Sequence, residues 1–143
     1  MNRFVPDVSV AAKWVLRGPE ETFVPEAREL LLAFVNGKVQ LIVPDLFWVE
    51  LGNVLWKAIG RGRCTRALAD AGLREIKERE LITVPSASLI EGALDIAVAF
   101  HRTVYDSVYI ALASRRGAQL VTADEKLANA MASRFPVKWL GAL

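Results

Sequence analysis

Acidic residues at particular points of the chain are the features of this sequence best suited to chemistry. Asp7 ends a short extended run near the N-terminus, and Asp124 follows the strand-like segment Gln119–Thr122. Glu50 lies one turn into an apolar helix that follows another strand-like segment, and Asp106 opens a further apolar helix. In a parallel α/β sheet, the carboxyl ends of strands and the starts of the following helices share one edge. We therefore expect these four carboxylates to converge there.

Carboxylates that converge in this way repel one another unless a cation lies between them. Ligands that are all oxygen atoms suit a hard divalent ion, magnesium or manganese. Such an ion neutralises a phosphodiester and lowers the pKa of water that it binds. The pattern therefore predicts a metal-dependent phosphodiester hydrolase.

Each acid also has an ordinary structural explanation when it is taken alone. Asp7, Asp106 and Asp124 stand at predicted helix starts, where a carboxylate caps free N–H groups and meets the positive end of the helix dipole. Glu50 differs, because its neighbours make its helix apolar nearly all round and a buried glutamate is rarely left unpaired. The occurrence of all four together favours a site over four separate structural roles.

Extended and helical segments alternate along the whole chain, and this alternation predicts a parallel sheet covered by helices on both faces. The predicted strands are Arg3–Pro6, Leu41–Val43, Leu81–Val84, Leu120–Thr122 and Val137–Leu140. The predicted helices are Ser9–Leu16, Pro25–Asn36, Asp45–Ile59 with Asp45 as N-cap, Thr65–Glu80, a helix from the capping box of Ser88 and Glu91 to Phe100, a helix from a similar box of Thr103 and Asp106 to Gly117, and Asp124–Arg134. With no repeat or linker, we predict one domain over residues 1–143.

The composition excludes several classes of protein. Hydrophobic residues make up 53% of the chain, and the mean hydropathy is +0.29, which excludes disorder and indicates an interface with another subunit or partner. The net charge of +2 neither requires nor excludes a nucleic-acid partner. One cysteine, Cys64, and one histidine, His101, cannot form an intrachain disulfide or a thiolate metal site. No apolar run reaches the roughly 18 residues that span a bilayer, so we expect a cytoplasmic protein without a membrane partner.

Four motifs make the chain similar to the PIN domains, and among them to the VapC-type toxin ribonucleases of toxin–antitoxin pairs. The motifs are Asp7-Val8-Ser9, Val49–Leu55, Thr103–Ala113 and Leu120–Asp124. They span the chain in order and spacing, and the third is the most specific. The resemblance implies a three-layer α/β/α PIN-like domain whose five-stranded parallel sheet has the order 3-2-1-4-5. It also implies a Mg²⁺ or Mn²⁺ cofactor, a single-stranded RNA substrate and a VapB-type antitoxin as partner.

The same resemblance implies a role for each acid. Asp7 and Asp106 match metal ligands, and Asp124 matches a residue that binds the metal directly or through water. Glu50 matches the residue that holds or deprotonates the attacking water. All four are therefore predicted to be catalytic.

Four further positions follow from the resemblance. Ser9 and Thr122 match hydroxyl groups that support the site, and Asn53 matches an amide beside it. Pro6 departs from the family pattern, in which an aliphatic strand residue precedes the first aspartate. Because proline lacks the N–H that a strand donates, we expect the first strand to end there.

Other interpretations compete with a nuclease. A phosphoaspartyl transferase of the haloacid-dehalogenase kind requires an acid where Ser9 stands, and a receiver domain requires an aspartate at the end of the third strand, where Val84-Pro85-Ser86 stands. Neither fits. A PIN-fold module that binds RNA or protein without cutting it stays as the alternative. Metal-dependent cleavage that Asp7→Asn abolishes separates the two.

The remaining polar and aromatic features have mainly structural interpretations. His101 suits a helix end, and the basic stretch Lys57–Arg66 suits either a solvated helix end or a contact with RNA. The four tryptophans suit anchors in a core or an interface. The helices Pro25–Asn36 and Asp45–Ile59 carry more apolar residues than one core-facing stripe needs, so we predict a two-fold homodimer.

Overall fold

Five parallel strands form one sheet at the centre of the computed structural model, which describes residues 1–143. The strands are β1 (Asn2–Pro6), β2 (Val39–Pro44), β3 (Ile82–Val84), β4 (Gln119–Thr122) and β5 (Val137–Trp139). Their spatial order is β3-β2-β1-β4-β5, and every neighbouring pair is parallel. The predicted fold class and strand order are confirmed.

Helices connect successive strands and cover the sheet. They are α1 (Val8–Ala11), α2 (Val24–Val35), α3 (Leu46–Gly60), α4 (Arg66–Glu78), α5 (Ile90–Phe100), α6 (Val104–Arg116) and α7 (Glu125–Met131), with 3₁₀ turns at Ala12–Trp14, Ser86–Leu89 and Leu140–Ala142. The inner strands are buried through residues such as Val5, Leu41 and Leu120, as a sheet covered on both faces requires. None of the helices has both the length and the apolar character needed to cross a bilayer.

The first strand ends at Pro6, as expected. Its pairing with β2 stops at Phe4 opposite Leu41, whereas its pairing with β4 continues to Pro6 opposite Val121. The N–H of Asp7 then donates to the carbonyl of Val121 at 3.1 Å. The proline therefore closes the strand without separating β1 from β4, and Asp7 begins at the sheet edge.

The first helix is shorter than predicted. The sequence predicts one helix over Ser9–Leu16, but α1 ends at Ala11 and a 3₁₀ turn follows it to Trp14. In this arrangement the indole N–H of Trp14 donates to the carbonyl of Ala27 in α2 at 2.8 Å. A buried indole needs such a partner, and this long-range contact is absent from the helical pattern.

The predicted capping box of Ser88 and Glu91 is wrong. Helix α5 begins at Ile90 without a side-chain cap, because the preceding residues form a 3₁₀ turn. The hydroxyl of Ser88 donates to the carbonyl of Pro85 at 2.6 Å instead. Serine side chains compete in this way for nearby backbone groups.

Asp45 precedes α3, but its side chain does not cap that helix as predicted. Its carboxylate accepts the N–H of Ser86 at 2.9 Å, while the Ser86 hydroxyl accepts the N–H of Leu46 at 3.3 Å. Hydrogen bonds from the hydroxyl and the N–H of Ser86 to the Asp45 carboxylate lower the pKa of that carboxyl. Ser86 thus takes over the cap from across the sheet edge and joins the loops after β2 and β3.

Helix α3 is not buried all round, contrary to the expectation from its apolar sequence. Phe47, Leu51 and Leu55 enter the core, but Val49 is 73% exposed and Trp56 is 68% exposed. The helix therefore has one core-facing side and a second apolar side that faces outwards. A group of large exposed apolar residues often marks a surface that binds a partner, whereas single exposed apolar residues are common on any protein.

Candidate active site

The two central strands bring two aspartates to the same edge of the sheet. Asp7 follows β1 directly, and Asp124 lies two residues beyond the end of β4. Both cap the helices that begin there: Asp7 accepts the N–H of Ser9 at 3.0 Å, and Asp124 accepts the N–H of Leu127 at 3.1 Å. Both side chains therefore cap helices, as predicted, and both also lie at the carboxyl edge of the sheet.

Two hydroxyl groups tie these strand ends together. The Ser9 hydroxyl donates to the Asp7 carboxylate and accepts the N–H of Ala123 at 2.9 Å. Thr122 is fully buried, and its hydroxyl accepts the N–H of Asp124 at 3.1 Å. The hydroxyls of Ser9 and Thr122 lie 3.5 Å apart. The positions that the family resemblance singled out thus link Asp7 to Asp124.

Helices α3 and α6 bring the other two acids from the side. Glu50 is in the second turn of α3, and Asp106 is the third residue of α6. The N-cap of α6 is Thr103, whose hydroxyl accepts the N–H of Asp106 at 3.1 Å. This is the first half of the predicted capping box. The hydroxyl of Tyr109 donates to Oε1 of Glu50 at 2.6 Å and joins the two helices.

All four acids line a single pocket of about 190 Å³. The residues around it are Asp7, Val8, Ser9, Glu50, Asp106, Tyr109, Leu120, Asp124 and Leu127. No three His, Cys, Asp or Glu side chains are close enough together to hold a metal ion as they stand. The pocket is thus an open group of separated carboxylates with apolar walls.

Burial and mutual repulsion disfavour negative charge in this pocket. Desolvation raises the pKa of Asp7 to about 6, against the hydrogen bonds from Ser9 and Thr122 that lower it. Desolvation also raises the pKa of Glu50, and the charge of Asp106 adds to this effect, while the bond from Tyr109 opposes it. Binding of a proton or a cation therefore stabilises such a site.

Asp106 shows the same balance. Desolvation raises the pKa of its carboxyl, and the nearby charge of Asp124 raises it further. The Arg102 guanidinium and the hydrogen bond with Thr103 act in the opposite direction. The positive charge of Arg102 therefore acts on Asp106.

Two residues stand differently from their sequence-based interpretation. Tyr109 belongs to the apolar helix that Asp106 opens, yet its hydroxyl bonds Glu50 and the residue lines the pocket. It is three residues after Asp106, a spacing that places both on one face of a helix, so this signal was present in the sequence. Asn53, matched to an amide beside the site, is exposed on α3 and does not line the pocket.

The other candidates lie outside the pocket. His101 ends α5 in the left-handed conformation, with φ of 56°, which is a helix-end position. The basic stretch Lys57–Arg66 is exposed apart from Ala58, Ile59 and Cys64. Arg66 pairs with Asp70 at 3.0 Å. Neither feature contributes a residue to the pocket lining.

Comparison with known proteins identifies the family of this arrangement. Residues 4–132 match the family model of the PIN domain. The chain belongs to the PIN domain family. It is also 35% identical over 117 residues to Ribonuclease VapC3 of Pyrobaculum aerophilum, a match that covers 80% of this chain and 86% of that protein. The resemblance to VapC-type PIN domains inferred from the four motifs is confirmed.

Solved structures show the same PIN fold. The crystal structure of PAE2754 from Pyrobaculum aerophilum has a TM-score of 0.72 and 22% identity, covering 99% of this chain and 85% of that one. VapBC2 from Rickettsia felis, bound to a DNA fragment from its promoter, has a TM-score of 0.67 and 12% identity, covering 96% and 98%. At these identities the likeness concerns the fold.

Proposed function

We propose that this PIN domain is a metal-dependent endoribonuclease that cleaves single-stranded RNA, and that it is the toxin of a VapBC-type toxin–antitoxin pair. One observation carries the proposal: Asp7, Glu50, Asp106 and Asp124 line the same pocket at the carboxyl edge of the sheet. The ribonuclease named among its relatives supports the same activity. Fold alone would not suffice, because function depends on the site.

The donor set of the pocket fits Mg²⁺ or Mn²⁺. Magnesium is usually held by one or two carboxylates, with water and substrate phosphate completing its coordination, so a closed cage of three acids is not required. We assign Asp7 and Asp106 as the ligands, with Asp124 binding directly or through water. When bound, the ion supplies charge neutralisation of the scissile phosphate and Lewis acidity towards water.

The protein side chains then have distinct tasks. Glu50 orients the attacking water and accepts its proton, a role suited to a carboxyl whose pKa burial has raised. Ser9 and Thr122 hold Asp7 and Asp124 at fixed positions through the hydroxyl network. Val8 and Leu127 form apolar walls of the pocket beside these acids.

An endonuclease assay tests the proposal directly. A labelled single-stranded RNA of mixed sequence should be cut internally with Mg²⁺ or Mn²⁺ and left intact in EDTA. Asp→Asn at 7, 106 or 124, or Glu50→Gln, should lower the rate by about 100-fold or more, with unchanged circular dichroism. Asp95→Asn, an exposed acid on α5, is the matched control and should cut like the wild type.

The outcomes separate the nuclease from the alternative. A wild-type protein that binds RNA but cuts none with either ion would be the non-catalytic PIN-fold module. A folded Glu50→Gln protein with the wild-type rate would show that Glu50 does not handle the attacking water.

A groove between α2 and α4 suits the antitoxin partner. This α2–α4 groove has a volume of about 210 Å³, with Leu31, Leu32 and Val35 as apolar residues of α2 along it. Arg17 and Arg28 also line it and make no ion pair within the chain. We propose that a VapB-type segment with apolar and acidic residues binds there. A basic side chain of the antitoxin entering the carboxylate pocket would inhibit by competing with the metal.

Binding of the product of an adjacent small reading frame tests this partner. Leu32→Asp should weaken the complex, because it puts a charge in the apolar groove. Ile82→Asp, an exposed residue on the edge strand β3, is the control and should leave binding unchanged. Equal binding by both variants would place the antitoxin elsewhere.

We also propose a two-fold homodimer, with α5 joining α3 in the interface. Helix α5 exposes Ile90, Leu94 and Val98 at four-residue spacing, and Val98 is 78% exposed. Together with Val49 and Trp56 of α3 they are apolar side chains without a partner in the monomer. Light scattering at micromolar concentration should give twice the 15.8 kDa chain mass, and Val98→Lys should give a monomer. A monomeric wild type would refute the dimer.

A further inference from the structure

A single hydrogen bond fixes the carboxylate of Glu50. The donor is the hydroxyl of Tyr109, which is 3% exposed, and the bond to Oε1 is 2.6 Å long. No other hydrogen bond or ion pair reaches the Glu50 side chain. The orientation of this carboxylate therefore depends on one contact between α6 and α3.

A purely structural role for Tyr109 explains the contact less well. Buried hydroxyls normally find a partner, so the bond by itself would be expected. Phenylalanine, however, would fill the same volume in α6 without a polar atom to satisfy. The bond also opposes the effect of burial on Glu50, because it stabilises the charged carboxylate. The hydroxyl thus acts on a carboxylate that has no other hydrogen-bond partner in the chain.

We propose that Tyr109 is a positioning residue for the ribonuclease reaction: its hydroxyl holds Oε1 of Glu50 and leaves Oε2 free for the attacking water. This inference rests on the proposed function and adds to it the residue that orients the base. Burial raises the pKa of Tyr109 well above its usual value, so the hydroxyl keeps its proton and remains a donor.

Kinetics of Tyr109→Phe test the proposal. Groups that orient a ligand or base typically contribute about 10–100-fold, so kcat on single-stranded RNA should fall by that factor. KM for RNA and the affinity for Mn²⁺ should change less than about twofold, because a positioning residue acts on Glu50 and not on the RNA or the ion. Tyr105→Phe is the matched control: it lies one turn earlier on α6, is 62% exposed and does not line the pocket. It should behave like the wild type.

A double-variant cycle shows whether Tyr109 acts through Glu50. In the Glu50→Gln background, Tyr109→Phe should lower the residual rate by less than about twofold, because the base it would orient is already lost. A wild-type kcat in Tyr109→Phe would overturn the proposal. So would an undiminished loss in the Glu50→Gln background, since Tyr109 would then act by another route.

A spectroscopic measurement tests the contact without changing Tyr109. The chain has only two tyrosines, so labelling tyrosine with ¹³C at Cζ gives two signals. In Glu50→Gln the Tyr109 signal should shift and the Tyr105 signal should not. An unchanged Tyr109 signal would refute the hydrogen bond between Tyr109 and Glu50, even if Tyr109→Phe failed to fold. Absence of RNA cleavage by the wild type would instead refute the proposed function, with the spectrum still reporting the contact.

Discussion

Replacing Asp7 by asparagine should stabilise the metal-free protein although it removes a proposed ligand. Burial raises the pKa of Asp7 from 3.8 to about 6, so the folded state disfavours its charged form. A raised carboxyl pKa favours folding only while the group is protonated. That contribution is complete below pH 3.8 and is lost as the pH rises through 6. Asparagine carries no charge at any of these pH values.

The magnitude follows from the shift. A pKa difference of about 2 units means that Asp7→Asn should exceed the wild type by about 3 kcal/mol in the free energy of unfolding at pH 7.5. At pH 4 this gain should be less than about 0.6 kcal/mol. The value is an upper limit, because Asp7 keeps some solvent contact. The asparagine oxygen can still accept the N–H of Ser9, so the cap of α1 is retained. For a chain of this length the melting temperature should rise by about 5–10 °C.

Thermal unfolding in EDTA, followed by circular dichroism between pH 4 and pH 8, measures the effect. Asp45→Asn is the control with the opposite sign, because hydrogen bonds from Ser86 lower the pKa of Asp45 and its charged form favours folding. In saturating Mn²⁺ the order should reverse, since only the wild type gains stability from the ion. An Asp7→Asn protein no more stable than wild type in EDTA at pH 7.5, or a gain equally large at pH 4, would refute the reasoning.

Two further predictions concern metal binding and packing. The Mn²⁺ affinity measured by calorimetry should weaken as the pH falls from 7 to 5, with proton release near pH 6, because protons compete with the ion for Asp7. Asp106→Asn should remove most of the binding. A pH-independent affinity would contradict the assignment of Asp7 as a ligand. Gly72→Ala should cost about 1–3 kcal/mol, because its Cβ would lie 2.7 Å from the methyl carbons of Val15. Gly52→Ala has open space and should not destabilise, so equal melting temperatures for the two variants would show that the Val15 contact yields.

Local physical chemistry was readable from the sequence. The alternation of strands and helices predicted the parallel sheet, because the periodicity of apolar residues depends only on neighbours in the chain. The caps formed by Asp7 and Asp124 were predictable for the same reason, since each accepts an N–H within three residues. The four motifs in their order indicated the family and the strand order, which the structure and the comparisons confirm.

Contacts between distant segments were decided by the tertiary structure alone. Ser86, 41 residues further along the chain, caps α3 in place of the predicted Asp45. Tyr109 bonds Glu50 across a separation of 59 residues. The sequence also did not predict the outward apolar side of α3, because a run of apolar residues does not indicate which of them the neighbouring helices cover. Side chains find such partners only after the chain has closed long loops, so the free energy that selects them depends on the packed arrangement of strands and helices rather than on local pattern.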